Sequence, residues 1–145
     1  MSASLPQLHH VVFAIAPERL DRAADYLSAL GFRFQAFELE HLGLQVLLDW
    51  DRGFELIAPA AAAPSGGTVA DFLARNGDGL FSVIVRTADC AAGEQIAARY
   101  GAKSDFRQRH QDEGFELTEV KLEPLFGIPL TLMTTNLGDG QPVSP

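Results

Sequence analysis

Apolar positions along the chain fall into two successive patterns of the same kind. The first begins at Leu8-His9-His10-Val11-Val12-Phe13-Ala14-Ile15, a short apolar run rich in β-branched residues. Such a run predicts a strand buried on both faces. Strand alternation puts Leu8, His10, Val12 and Ala14 on one side and His9, Val11, Phe13 and Ile15 on the other. Pro17 then suits the first turn of a helix. Leu20, Ala23 or Ala24, Leu27 and Leu30 recur at helical spacing, and Gly31 is placed to end that helix. Three strand-like runs follow at residues 32–39, 42–48 and 54–58, with Asp51-Arg52-Gly53 as a turn. In the second run Leu42, Leu44, Val46 and Leu48 share a face, with Gly43, Gln45 and Leu47 opposite. In the third run Glu55 and Ile57 lie opposite Phe54 and Leu56. The predicted unit is βαβββ.

Residues 59–67 are mostly alanine, proline, serine and glycine and read as a linker. Thr68-Val69-Ala70-Asp71 reads as a helix start with a side-chain cap and an acid in the first turn. A short helix over about 68–76 should stop at Gly77-Asp78-Gly79. The pattern then restarts. Residues 80–86 read as a strand, and Asp89 caps a helix through Ala92, Ile96 and Tyr100 that Gly101 ends. Strands follow at 103–109, 115–122 and 128–134, with the polar stretch 108–114 read as an exposed hairpin loop. The tail 136–145 is rich in glycine and proline and is expected to be mobile. The repeat is one of element order rather than residue identity: Gly31 lies 21 residues after His10, and Gly101 lies 19 after Ser82. The expected fold class is therefore α+β, two βαβββ modules in one chain forming a partly open sheet around a cavity. Residues 1–145 form one domain, with modules at about 8–59 and 79–135.

Composition narrows the function classes. A chain of 145 residues that is 47% hydrophobic can build an ordinary packed core. No apolar run approaches the roughly 20 residues needed to span a bilayer, and no secretory signal is apparent at residues 1–7. The expectation is a cytoplasmic protein with no membrane partner. The net charge of -8 repels phosphate backbones, so nucleic acid is not an expected partner. Neither a GxGxxG fingerprint nor a Walker-type loop occurs. The single cysteine, Cys90, excludes an intrachain disulfide and a cysteine-rich zinc site; it is read as a small helix residue.

Several stretches, in this order, resemble the vicinal oxygen chelate superfamily. They are Leu8-His9-His10-Val11-Val12, Leu30-Gly31-Phe32, Phe54-Glu55-Leu56-Ile57-Ala58-Pro59, and the run from Val69 through Asp71-Phe72-Leu73 and Asn76-Gly77-Asp78-Gly79 to Leu80. The superfamily contains glyoxalase I, methylmalonyl-CoA epimerase, extradiol dioxygenases, and the bleomycin and fosfomycin resistance proteins. The last two stretches are similar to the epimerase-like branch in particular. The resemblance implies paired βαβββ modules and, in metal-dependent members, four ligand positions for one divalent ion. Those positions fall on His10, Glu55, Ser82 and Thr131. The branch's general base falls on Gln45. The resemblance also implies a homodimer.

Ions such as Zn, Ni, Co or Fe need about three imidazole, carboxylate or thiolate ligands. His10 and Glu55 would supply two, whereas Ser82 and Thr131 are neutral hydroxyls. Gln45 cannot accept a proton at neutral pH. His41, Glu116, Glu119 and Glu123 are the alternative donors that could complete a shell. The expectation is thus a protein of the glyoxalase or bleomycin-resistance type that binds a small organic ligand in a cavity between its modules, without metal or other cofactor. Ligand-facing residues by family position are His10, Gln45, Glu55, Ser82 and Thr131. The alternative is a lyase or isomerase acting on a small organic acid or thioester, with His10 and Glu55 as its catalytic pair. His9 is expected to pack beneath the first helix. His41, His110, Glu38 and Glu40 are read as exposed, and Trp50 and Phe54 as packing residues.

Overall fold

The computed structural model describes residues 5–60 and 67–136. Most of the predicted linker and all but the first residue of the predicted tail lie outside the described residues. The elements are β1 (Gln7–Ala14), α1 (Pro17–Ala29), β2 (Gln35–Leu39), β3 (Leu44–Asp49), β4 (Phe54–Pro59), α2 (Thr68–Asn76), β5 (Gly79–Arg86), α3 (Cys90–Arg99), β6 (Ser104–Asp112), β7 (Phe115–Leu122) and β8 (Leu130–Thr135). They form the two βαβββ sets of an α+β fold. Among the described residues, no helix is long and apolar enough to cross a membrane.

The chain divides into two compact units. Residues 11–60 and 67–81 form the α1 unit, and residues 5–10 and 82–136 form the α3 unit, so the divisions fall inside β1 and β5. In the α1 unit, β4 pairs parallel with β1 and antiparallel with β3, and β3 pairs with β2, giving the order β2-β3-β4-β1. Pro17 sits in the first turn of α1, as its fixed φ and missing N–H allow. Leu20 on α1 buries against Leu56 and Ala58, with Phe13, Ala23, Ala24, Leu27, Leu47 and Phe54 packed around them. Each fully buried leucine there contributes about 1.5–3 kcal/mol of transfer free energy. The expectation that Phe54 is a packing residue holds: its ring stacks on Phe13 at 5.1 Å and leans on Phe32 at 5.0 Å.

The α3 unit repeats the order as β5-β8-β7-β6, with β5 and β8 parallel and the other pairs antiparallel. Its core joins Cys90 and Ala97 of α3 to Val120, Leu122, Leu130 and Leu132. Gly93 lets the helix approach closely, since a Cβ there would stand 2.6 Å from Leu132 Cδ1. Asp89 caps α3 as expected, its Oδ1 accepting from the amides of Ala91 (2.9 Å) and Ala92 (3.3 Å).

Four local expectations are corrected. Residues 40–42 form a 3-10 turn that Gly43 ends with φ of 63°, so β3 starts at Leu44 rather than at residue 42. α2 begins at Thr68, but its N-cap is Gly67 and no side chain caps it. The polar stretch 108–114 is not a loop: β6 runs through to Asp112 and turns back at Gly114. Edge strands tolerate such polarity because one edge and one face meet water. Consequently His110, expected to be exposed, is half-buried on β6.

Candidate functional site

Register fixes which side chains share the face of each sheet turned away from its helix. In the α1 unit Glu55 pairs with Val12 on one side and Leu48 on the other. Directly paired residues point to the same face. The half-buried Glu55 carboxylate therefore sits in a row with two buried aliphatic side chains, and the next row holds Ala14, Ile57 and Val46. Alternation along β1 places His10 on the same side of that strand as Val12. Gln45 pairs with Ala58 and Glu38, so it shares the α1-facing side with Leu47 and Leu56. Its amide donates to the carbonyl of Pro59 at 3.3 Å. The structure thus separates Gln45 from Glu55, although family position had put both toward the ligand. A strand's period of two decides this, and Gln45 lies an odd number of positions from the ligand-facing set.

His10 is 4% exposed. Its Nδ1 lies 2.7 Å from Nδ1 of His9, with the ring centroids 5.0 Å apart at a steep angle. Such a contact needs one ring to donate and the other to accept, so at most one Nδ1 of the pair carries the bonding proton. His9 is half-buried and engages its neighbour rather than lying only beneath a helix.

In the α3 unit the equivalent face carries Ser82, Ile84, Thr131, Met133 and Leu117, all buried. Ser82 and Thr131 are 2% and 4% exposed, and their hydroxyl oxygens are 2.5 Å apart. Ser82 Oγ also donates to the Pro129 carbonyl at 3.2 Å. That carbonyl takes the Val83 amide at 2.7 Å as well. The structure brings these two predicted positions together and has them satisfy each other.

This arrangement does not fit the divalent ion that the family resemblance implies. Two neutral hydroxyls bonded to one another replace two strong ligands, and hydroxyls bind such ions poorly. Among the described residues, no group of three or more His, Cys, Asp or Glu side chains is placed to hold a metal. Of the alternative donors, His41, Glu116 and Glu123 are exposed, and half-buried Glu119 accepts from the Gln108 amide at 2.8 Å.

Lys121, Gln108 and Arg86, not singled out from sequence, complete the α3-unit face with Glu119. Lys121 pairs with Thr131, Glu119 with Met133 and with Gln108, and Arg86 with Met133. Lys121 lies 3.0 Å from Asp105. Arg86 donates to the Thr135 carbonyl at 3.2 Å. Their alternation with apolar residues was readable, but the rows they join depend on pairing with β8, which no local pattern shows.

Two further carboxylates do structural work. Asp78 accepts from the Arg19 guanidinium, from Nε at 2.5 Å, and from the Ala16 amide at 2.8 Å. The Arg19 hydrogen bond leads in holding its carboxyl below the usual range, and the Ala16 amide and the Arg19 charge add to it against burial. Asp49, 3% exposed, accepts from the amides of Arg33 (2.9 Å) and Arg52 (3.2 Å) and from the Arg52 guanidinium (3.2 Å). Burial pushes its carboxyl up, but these donors outweigh burial and the net shift is downward.

No family model and no curated protein matches the chain. Solved structures do. A variant of methylmalonyl-CoA epimerase from Streptomyces coelicolor, in complex with 2-nitronate-propionyl-CoA, is 22% identical with a TM-score of 0.68 over 92% of this chain and 100% of that one. The epimerase from Mycobacterium tuberculosis is 21% identical, with a TM-score of 0.63 over 92% and 91%. A variant of 4-hydroxymandelate synthase from Streptomyces coelicolor is 15% identical, with a TM-score of 0.70 over 97% of this chain and 51% of that one. Likeness at this identity is likeness of fold. The chain carries the fold of the vicinal oxygen chelate superfamily, which it shares with methylmalonyl-CoA epimerases and 4-hydroxymandelate synthase.

Proposed function

We propose that this chain binds a small organic acid or acyl thioester on the helix-distal face of its sheet and does so without a metal ion. The buried Ser82–Thr131 hydrogen bond carries the proposal. It occupies two positions that metal-dependent relatives would use for ligands, and it leaves hydroxyl lone pairs rather than charged donors there. His10 and Glu55 remain as a buried imidazole and a half-buried carboxylate. Titratable groups set among buried side chains gather at functional sites, so each is a candidate for contact with a ligand. We further expect a homodimeric, cytoplasmic protein.

A second reading is favoured by the fold shared with epimerases that act on acyl-CoA substrates. Here the chain is a lyase or isomerase, with His10 moving the proton and Glu55 assisting it. Metal analysis of protein purified without chelator tests the first reading, and about one equivalent of tightly held Zn, Ni, Co or Fe overturns it. Deuterium exchange at the α-carbon of propionyl-CoA in heavy water tests the second. Exchange that is lost in His10→Ala supports it, and exchange unchanged by His10→Ala removes His10 from the chemistry. Sedimentation as a monomer would overturn the dimer expectation.

A further inference from the structure

We infer that the helix-distal face of the α3 unit holds a small hydroxy acid, with its carboxylate on Lys121 and its hydroxyl on Gln108. This rests on the reading above that the ligand is a small acid or its thioester, and it names the groups that recognise it.

The Gln108 side chain supplies the first observation. Its Nε2 donates to Glu119 Oε2 at 2.8 Å. An ionised carboxylate only accepts, so Glu119 fixes which end of the amide faces it. The Gln108 Oε1 is then committed to the other side, where it is buried and has no hydrogen-bond partner among the described residues. Buried acceptors are rarely left unpaired in folded proteins. This oxygen is placed to accept from the O–H or N–H of a bound ligand.

Lys121 supplies the second. Its side chain is only 12% exposed, although an ammonium is costly to bury. It pairs in register with Thr131 and so projects from the same face as Ser82 and Thr131. Its ammonium meets Asp105, itself 36% exposed. Asp105 is the extra residue of a bulge, since Ser104 and Phe106 oppose the consecutive residues Leu122 and Lys121. Bulges re-aim side chains and gather beside binding sites. Neutral hydroxyls stand where a metal would hold an acid's oxygens, so the positive charge must come from a side chain. A chain of net charge -8 disfavours anions unless a local cation offsets it. Lys121 is a cation in register with Thr131 of the hydroxyl pair.

The spacing fits a small ligand. Gln108 is two positions along β6 from Phe106, the register partner of Lys121. Such diagonal neighbours stand about 7–8 Å apart, and long side chains bridge that gap to one molecule. A short acid with a nearby hydroxyl presents a charge to Lys121 and a donor to Gln108 Oε1.

The test titrates the full chain with sodium lactate, sodium propionate and lactamide, following amide resonances. Propionate lacks the hydroxyl and lactamide lacks the charge. Lactate should bind about tenfold more tightly than either. Lys121→Met should remove the advantage over lactamide, and Gln108→Met the advantage over propionate, with both variants checked for folding by their spectra. Asp105→Asn, which removes the competing carboxylate, should tighten lactate binding. A purely structural Lys121 predicts no such tightening. The inference is overturned if the three probes bind equally, if none binds up to about 50 mM, or if the lactate preference survives both substitutions. Propionyl-CoA, titrated in parallel, separates the two failures: if it binds while lactate does not, the broader reading stands and this site falls.

Discussion

Removing the Ser82–Thr131 contact one hydroxyl at a time should give unequal, non-additive losses of stability. Both groups are buried and the oxygens are 2.5 Å apart. Ser82→Ala deletes the hydroxyl that meets both Thr131 and Pro129. It loses a net hydrogen bond of about 1 kcal/mol and leaves the Thr131 hydroxyl buried without that partner, adding about 1–2 kcal/mol. The Pro129 carbonyl keeps the Val83 amide, so it adds little. Thr131→Val leaves Ser82 still bonded to Pro129, so its cost should be smaller, about 1–2 kcal/mol. The double variant leaves neither hydroxyl stranded. Its cost should fall short of the sum of the singles by about 1–2 kcal/mol. Urea unfolding of the four proteins measures this cycle, provided the slopes stay equal. Additivity within about 0.5 kcal/mol would refute the view that the two hydroxyls satisfy each other. So would a Thr131→Val loss larger than that of Ser82→Ala.

Further outcomes follow from the same geometry. The double substitution S82H/T131E, with His10 retained, should create a cobalt site visible by its d–d absorption, whereas the parent chain should show none; equal spectra would sink the assignment of these positions. Asp78→Ala removes the acceptor for the Ala16 amide and should cost about 1 kcal/mol, read as a lower urea midpoint at pH 7. The Asp78 carboxyl is depressed in the folded state. Its stabilisation is therefore present above the unfolded value of about 3.9 and is lost as pH falls through the lower folded value. The difference between parent and Asp78→Asn should accordingly shrink in acid, and a difference that grows there would contradict the sign. Asp49→Ala strips three donors of a buried acceptor and should cost about 2–4 kcal/mol, more than Asp78→Ala, in the same assay.

Spacing alone determined most of the architecture. Helical periodicity from Leu20 to Leu27, the glycines at 31 and 101 and the cap at Asp89 each act within a few residues, so local chemistry was enough. The same holds for the two-residue alternation that put Glu55 and Ile57 opposite Leu56. Tertiary structure decided what depends on partners far along the chain. The polar end of β6, residues 110–112, gave no apolar signal, because an edge strand takes its conformation from hydrogen bonds to β7. Gly77-Asp78-Gly79 read as a helix stop, yet Asp78 serves the start of α1, 62 residues away. Ser82 and Thr131 were readable as hydroxyls at ligand positions. That they bond to each other, 49 residues apart, follows only from the parallel pairing of β5 with β8. Gln45 and Lys121 show the same limit, since register decides on which face a strand residue emerges, and register is a property of two strands.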